Sequence, residues 1–479
     1  MLRTGDDYLR SLRDGRRVLL GGEVVTDITA HPEFRGAAQT LARLYDLKSD
    51  SAYRSRVTCE IGGDLCSAYY LMPRSPADLD LRLAAHRLIA DATFGLLGRS
   101  PDHVASAITG LAMEAEVLGG DTRRPFGENL LRYQRSISQN DAYVAYAVLP
   151  PPSSRTRDQN SGGPIAAGLQ IDEERDDGLI VSGTKMLATG AILADEVWIG
   201  NLQPLREQRT SDALTFAIPC SSPGLSLWSR RSLATNDGSP APLTDRFDES
   251  DAILLFERVK VPWERVFVLD DGRRSTDIYF DSPSHIMANH QSSVRCAAKM
   301  RFLLALARRI TIATGAATVA AVEELLGRLA AFEATIGAIV EGQVRACESR
   351  RGRLSVNRRY VYAAMHWCME TWPVAIDILR ELCGGGVLQF PGGRHSVEIL
   401  TLGRFQNAWS TPEMEAAQRL QTFGLAWDLT GSEFAGRQQQ YERFYGGPPF
   451  VIRGHNYRCV DWPELERSLA ETLSYWHVI

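Results

Sequence analysis

The chain of 479 residues carries 53 Lys and Arg against 58 Asp and Glu, with 44% hydrophobic and 23% charged residues. That balance describes a globular protein able to bury a core for two or three subdomains, and it argues against nucleic acid as main partner, which needs a clustered cationic excess. Residues 1–7 lack the apolar stretch of a signal peptide and no uncharged apolar run could span a bilayer, so a cytoplasmic protein is expected; the eight cysteines are scattered without a C-x-x-C pair, which predicts free thiols and no metal site.

From residue 6 to about 147, apolar residues recur at three- and four-residue spacing, notably over 37–47, 81–97 and 104–118, predicting a helical region over 1–149. Within it, residues 21–25 read as a small hairpin ahead of a helix that follows His31-Pro32. The character changes at Pro150-Pro151-Pro152-Ser153-Ser154. β-Branched and aromatic clusters at 179–183, 196–199, 214–218 and 253–256, separated by polar turns, then predict a central β domain over 150–275. Long helical patterns return over 286–314, 317–349, 358–382 and 412–430, which predicts a four-helix bundle with a tail over 276–479. Gly384-Gly385-Gly386 stops the third of them. Pattern alone therefore reads α, then β, then α.

Three segments carry chemistry. In Gly98-Arg99-Ser100-Pro101-Asp102-His103, Ser fits a helix N-cap and Pro the first helical position. His103 then lies in the first turn, where the positive helix end favours neutral imidazole and leaves a nitrogen free to accept a proton. Arg99, just outside the helix, can hold an anionic group. The same residues also suit a plain helix start with a satisfied histidine and a structural ion pair. Tyr143 and Tyr146, three apart in a stretch that reads as an apolar helix, equally suit core packing. Thr189, in Gly183-Thr184-Lys185-Met186-Leu187-Ala188-Thr189-Gly190, equally suits an ordinary strand.

Taken together and in this order, residues 98–103, 140–155 and 186–201 resemble the oxygenase component of two-component 4-hydroxyphenylacetate 3-monooxygenases. The likeness extends through Arg246-Phe247-Asp248-Glu249-Ser250-Asp251, Val261-Pro262-Trp263-Glu264-Arg265 and the stretch from Tyr441 to Pro448. It implies an α+β multidomain, acyl-CoA dehydrogenase-like fold that assembles as a homotetramer through its C-terminal bundle. It also implies a monooxygenase that hydroxylates a small phenolic substrate through a flavin hydroperoxide, using reduced FAD supplied by a separate flavin reductase. Arg99, His103 and Tyr146 are then the catalytic residues, with Leu202 and Gln203 joining Arg99 and His103 at the substrate. Tyr146, Pro152, Ser153, Ser154, Arg155, Thr189, Gly447 and Pro448 are placed beside FAD.

The chain departs from that family where it matters for the substrate. The family writes Tyr where His103 stands, His where Tyr146 stands, and in some members a Ser-Thr pair where Leu202-Gln203 falls. The first two departures read as an exchange that keeps one proton acceptor and one hydrogen-bond partner in a single cavity, with His103 as the base. They point to a substrate other than 4-hydroxyphenylacetate, free or tethered to a carrier. The chain has neither a P-loop nor a G-x-G-x-x-G fingerprint, so NAD(P)H is not expected to bind. Two other readings stay open. One is a flavoprotein of the same fold acting as dehydrogenase or dehydratase on an acyl thioester; the cluster of 4-hydroxybutyryl-CoA dehydratase needs cysteines where Arg99 and His103 stand, and His290 and Cys296 echo its other ligands loosely. The second is a catalytically altered flavin-binding protein.

Overall fold

The computed structural model describes residues 2–152, 168–202, 213–234, 241–390 and 395–474. Ser153, Ser154, Arg155 and Gln203 lie outside the described residues. In the N-terminal region the helices that shape the site are α1 (Pro32–Ser49), α2 (Pro76–Ala92), α3 (Pro101–Ala112) and α4 (Phe126–Gln139). α2 opens on a capping box in which Ser75 and Asp78 satisfy each other's backbone N–H groups, with Pro76 at the first helical position. α4 is amphipathic and buries Leu130, Tyr133 and Ile137 on one face. α3 is different: all but one of its residues are buried, because α4 and a long C-terminal helix pack on it and Arg82 and His86 of α2 bond to its Ser106 and Asp102.

The strands that frame the site are β1 (Arg17–Leu20), β2 (Glu23–Val25), β3 (Val144–Ala147), β4 (Gln170–Arg175), β5 (Gly178–Thr189), β6 (Glu196–Ile199), β7 (Leu214–Pro219), β8 (Leu225–Ser229), β9 (Asp251–Pro262) and β10 (Val266–Leu269). They form two sheets, ordered β2-β1-β8-β9-β5-β4 and β10-β7-β6-β3. The early hairpin β1–β2 is where the sequence places it, but it also joins the larger sheet, with Arg17 opposite Ser226 in a parallel pair. β3 pairs in parallel with β6, placing Tyr146 opposite Trp198.

The segment carrying Tyr143 and Tyr146 is thus a strand, and the helix expected there is corrected. Val144-Ala145-Tyr146-Ala147 is almost wholly buried, so it shows no polar alternation and imitates a buried helix; what decides is the ladder offered by β6. The period of two sends Tyr143 and Tyr146 to opposite faces.

Beyond the sheets run α5 (Ser284–Ala313), α6 (Ala320–Arg345), α7 (Arg358–Cys383), α8 (Ala416–Thr430), α9 (Glu433–Phe444), α10 (Pro449–Arg458) and α11 (Trp462–Ser474). α5, α6 and α7 pack on one another and α8 packs on α5 and α7. α7 ends at Gly384, whose φ of +50° is left-handed. α5 lies between α3 and the bundle and buries the polar side chains Asn289, His290, Gln291, Arg295 and Lys299. Polar groups in such a place need partners. Among the described residues, no helix is long and apolar enough to cross a membrane.

Candidate active site

The turn into α3 is held from three sides. Glu249, fully buried, accepts the backbone N–H groups of Gly98 and Arg99 on Oε2 at 2.8 and 3.1 Å. Tyr143 donates its hydroxyl to the Arg99 carbonyl at 2.6 Å. Tyr441 closes the third side: a Cβ on Gly98 would stand 2.2 Å from its ring, so only glycine fits. Gly190, at the end of β5 with φ +77°, abuts the same place, since a Cβ there would lie 2.2 Å from the Tyr143 hydroxyl. Arg437 of α9 ties the arrangement to the sheet, bonding Asp251 at 2.9 Å and pairing with Glu249 at 3.4 Å.

So fixed, Arg99 turns its guanidinium inward. Nη1 donates to Nε2 of His103 at 2.5 Å and Nη2 donates to the Tyr445 carbonyl at 2.9 Å. The cation lies over the rings of Tyr445 and Tyr146, 3.9 and 4.9 Å from their centres. Although Arg99 is only 8% exposed, its guanidinium hydrogen-bonds no carboxylate among the described residues. His103 faces Gln291 Oε1 and the Tyr445 hydroxyl through Nδ1, both at 3.1 Å, and its ring lies 5.9 Å from that of Tyr146.

Burial first, and the Arg99 charge second, hold the His103 pKa well below the ordinary histidine value, so the ring is neutral. The helix start predicts the same neutral ring, but desolvation is the larger cause. Ser100 does stand at the N-cap position without a side-chain capping bond. Its hydroxyl instead donates to Asp102 at 2.5 Å and accepts from Gln291 Nε2 at 3.0 Å.

Arg99, His103 and Tyr146 therefore converge. Tyr146 is half-buried, and its hydroxyl bonds none of the described residues. Thr189 sits next to Gly190 and donates its hydroxyl proton to Asp251 at 2.6 Å, so toward any ligand it can only accept. Gly447 and Pro448 follow Tyr445 within three residues; Gly447 has φ +107° and nothing within 4 Å of where a Cβ would stand. Pro152 is exposed and Leu202 is half-buried beyond β6, and neither is among the groups bonded to Arg99 or His103.

Sequence reasoning missed Gln291, Tyr441, Tyr445 and the role of Glu249. The tyrosines stand four apart near the end of α9, a spacing that puts both on one helix face, and this was the one available signal. Beneath Tyr445, Arg295 donates to both oxygens of Glu442 at 2.6 and 2.9 Å and stacks 4.6 Å from the Tyr445 ring. Lys299 donates to Glu442 at 2.8 Å. Burial pulls Lys299 down to about 8, while Arg295 and Lys299 overcome burial to hold Glu442 at about 2. The ring of Tyr445 is thereby clamped between two guanidinium groups. His290 is spent on Gln343 at 2.6 Å, away from this cluster.

The family model described as 4-hydroxyphenylacetate 3-hydroxylase N terminal matches residues 4–268, and its C-terminal counterpart matches residues 275–473. The 4-hydroxyphenylacetate 3-monooxygenase oxygenase component of Thermus thermophilus is 32% identical, covering 94% of this chain and 92% of that protein. A 4-nitrophenol 2-monooxygenase oxygenase component of Rhodococcus is 31% identical over 94% of this chain and 87% of its own length. Among solved structures, the oxygenase component of 4-hydroxyphenylacetate 3-monooxygenase complexed with FAD and 4-hydroxyphenylacetate superposes with a TM-score of 0.91 at 30% identity, over 99% of this chain and 98% of the other.

Proposed function

The chain belongs to the 4-hydroxyphenylacetate 3-hydroxylase family, the oxygenase half of two-component, FAD-dependent aromatic monooxygenases, and from that premise we propose that Arg99, His103 and Tyr146 form the substrate end of its active site. The observation that carries this reading is the buried guanidinium of Arg99, which has only neutral partners and leans on a neutral imidazole. Glu249 acts on that cation only through space, so an anionic substrate group would supply the direct hydrogen-bonded partner that a buried charge favours.

The groups around this site also suit FAD. Tyr146 carries a hydroxyl without a partner among the described residues, the Tyr441 hydroxyl is buried and unbonded, and Gly447 opens onto free space. Tyr146, Thr189, Gly447 and Pro448, with Pro152, Ser153, Ser154 and Arg155 from the sequence that follows β3, are the residues we assign to it. When bound, reduced FAD supplies the activation of dioxygen. The chain's own groups do the rest. Arg99 orients the substrate through its anionic group, and Tyr146 offers a hydroxyl and a ring face to the aromatic nucleus. His103 accepts the phenol proton on Nε2 once Arg99 has moved to the substrate, which raises electron density at the ring carbon beside the oxygen. The neighbouring rings and the buried face of α3 keep water from that carbon.

The substrate is a small phenol bearing an anionic or strongly accepting group, different from 4-hydroxyphenylacetate because positions 103 and 146 are exchanged; reduced flavin arrives from a separate reductase. We assign a homotetrameric assembly in the cytoplasm, with the exposed Leu465, Leu469 and Leu473 of α11 covered between copies. The test is to mix the purified protein with chemically reduced FAD, labelled dioxygen and a panel of free and carrier-bound phenols. One labelled oxygen atom in a ring-hydroxylated product is expected; oxidation of the reduced flavin with dioxygen reduced only to hydrogen peroxide, whatever the phenol, would refute the reading.

A further inference from the structure

We propose that Gln291 is a positioning residue that makes Nε2 of His103 the proton-accepting atom, by locking the histidine tautomer through a buried relay of His86, Asp102 and Gln291. The inference rests on the proposed role of His103 as base and deepens it. A phenol at position 103, as the family writes it, would have no tautomer to set, so the relay has this function only in a chain with histidine there.

The orientation of the Gln291 amide follows from what its neighbours can do. Asp102 is fully buried and its carboxylate accepts from the Ser100 hydroxyl at 2.5 Å, faces His86 Nδ1 at 2.7 Å and lies 3.3 Å from Gln291 Nε2. A carboxylate has no proton to give, so the amide must turn its NH2 toward it. Ser100, its own proton spent on Asp102, also accepts from that NH2 at 3.0 Å. Gln291 Oε1 is then the atom left facing His103 Nδ1 at 3.1 Å. An amide oxygen accepts, so Nδ1 carries the hydrogen.

The other side of the ring gives the same answer independently. Arg99 has donors and no acceptor, so the nitrogen at 2.5 Å from its Nη1, Nε2, must be bare. The Tyr445 hydroxyl donates to the Gly98 carbonyl at 2.9 Å and can share the Nδ1 hydrogen at 3.1 Å. In this resting arrangement Arg99 covers the basic lone pair; a substrate that draws the guanidinium away uncovers it. The step then balances simply: the phenol O–H bond breaks, an Nε2–H bond forms, and the electron pair stays on the phenolate oxygen beside Arg99. The positive imidazolium keeps its Nδ1–H bond to Gln291 Oε1, and Arg99, Arg295, His285, Tyr146, Tyr445 and Asp102 are the charged and titratable groups that face it.

Nitrogen-15 solid-state NMR of the full-length protein labelled at histidine reads the tautomer directly, with His103 assigned by its absence in His103→Gln. A protonated Nδ1 and a bare Nε2 are expected; the reverse tautomer in the unaltered protein overturns the proposal. Product formed per reduced FAD consumed, followed against pH, reads its consequence. Gln291→Leu removes the acceptor for Nδ1–H and should lower coupled product about tenfold or more, whereas Gln291→Glu, whose carboxyl proton replaces the amide hydrogen against Asp102, keeps a carbonyl acceptor for Nδ1–H and restores coupling. Equal impairment by both substitutions would mean mere packing and overturn the proposal, as would unaltered coupling and profile in Gln291→Leu. If His103→Ala keeps full coupling while NMR shows hydrogen on Nδ1, it is the role of His103 as base that falls, and the locked tautomer stands.

Discussion

Lowering the pH from neutrality should destabilise this protein steeply, through histidines rather than carboxylates. His86, His103, His285 and His290 are all held below the ordinary histidine value, and burial is the first cause in each; His285 and His290 fall to about 3. In the unfolded chain these rings titrate near 6.5. Below that pH the unfolded state takes up protons that the folded state refuses, so the stability they contribute is complete above about pH 6.5 and is lost as pH falls toward the folded values. Each ring contributes about 1.4 kcal/mol per pH unit once the unfolded form is charged, which gives roughly 4 kcal/mol per unit for His103, His285 and His290 below about pH 5.5. Carboxylates enter only lower: Glu442, held at about 2 by Arg295 and Lys299, begins to add its own loss below its ordinary value. Denaturant unfolding at fixed protein concentration between about pH 5 and pH 8 measures the slope. His290→Gln, which keeps a donor for Gln343, should remove about one third of it. A stability that stays level down to about pH 5, or a slope unchanged in the variant, would refute the assignment of these rings as neutral.

Three substitutions probe how Arg99 is held. Glu249→Gln weakens two charge-assisted bonds to the turn and an ion pair with Arg437, and should cost about 2–4 kcal/mol in urea unfolding. Gly190→Ala places a Cβ 2.2 Å from the Tyr143 hydroxyl at a left-handed φ, so a lowered Tm corresponding to about 1–3 kcal/mol is expected. Arg99→Ala should leave the fold intact by circular dichroism and weaken binding of anionic phenols about tenfold or more, with little change for neutral ones.

The long C-terminal helices were legible because length and periodicity make such elements unambiguous: 286–314 was expected and Ser284–Ala313 is found. β3 was not, because a strand of four residues, three of them buried, has no alternation to read and owes its form to β6, some fifty residues on. The pairing of β1 with β8 is likewise non-local and leaves no trace in either segment. At the site the pattern repeats. Arg99 and His103 are four apart and their local helix start carries the signal, whereas Gln291 and Tyr445 come from 188 and 342 residues beyond His103, and only packing brings them there. Thr189 stands next to Gly190, and its bond to Asp251 could not be foreseen, since the β9–β5 register sets it.

The account depends most on neutral His103 taking the phenol proton, and His103→Ala tests that most directly. With reduced FAD, labelled dioxygen and a phenol that the unaltered protein hydroxylates, the variant should still consume flavin and oxygen, while labelled product falls by about 10²–10⁴-fold and hydrogen peroxide replaces it. Undiminished labelled product from a correctly folded His103→Ala protein would contradict the account.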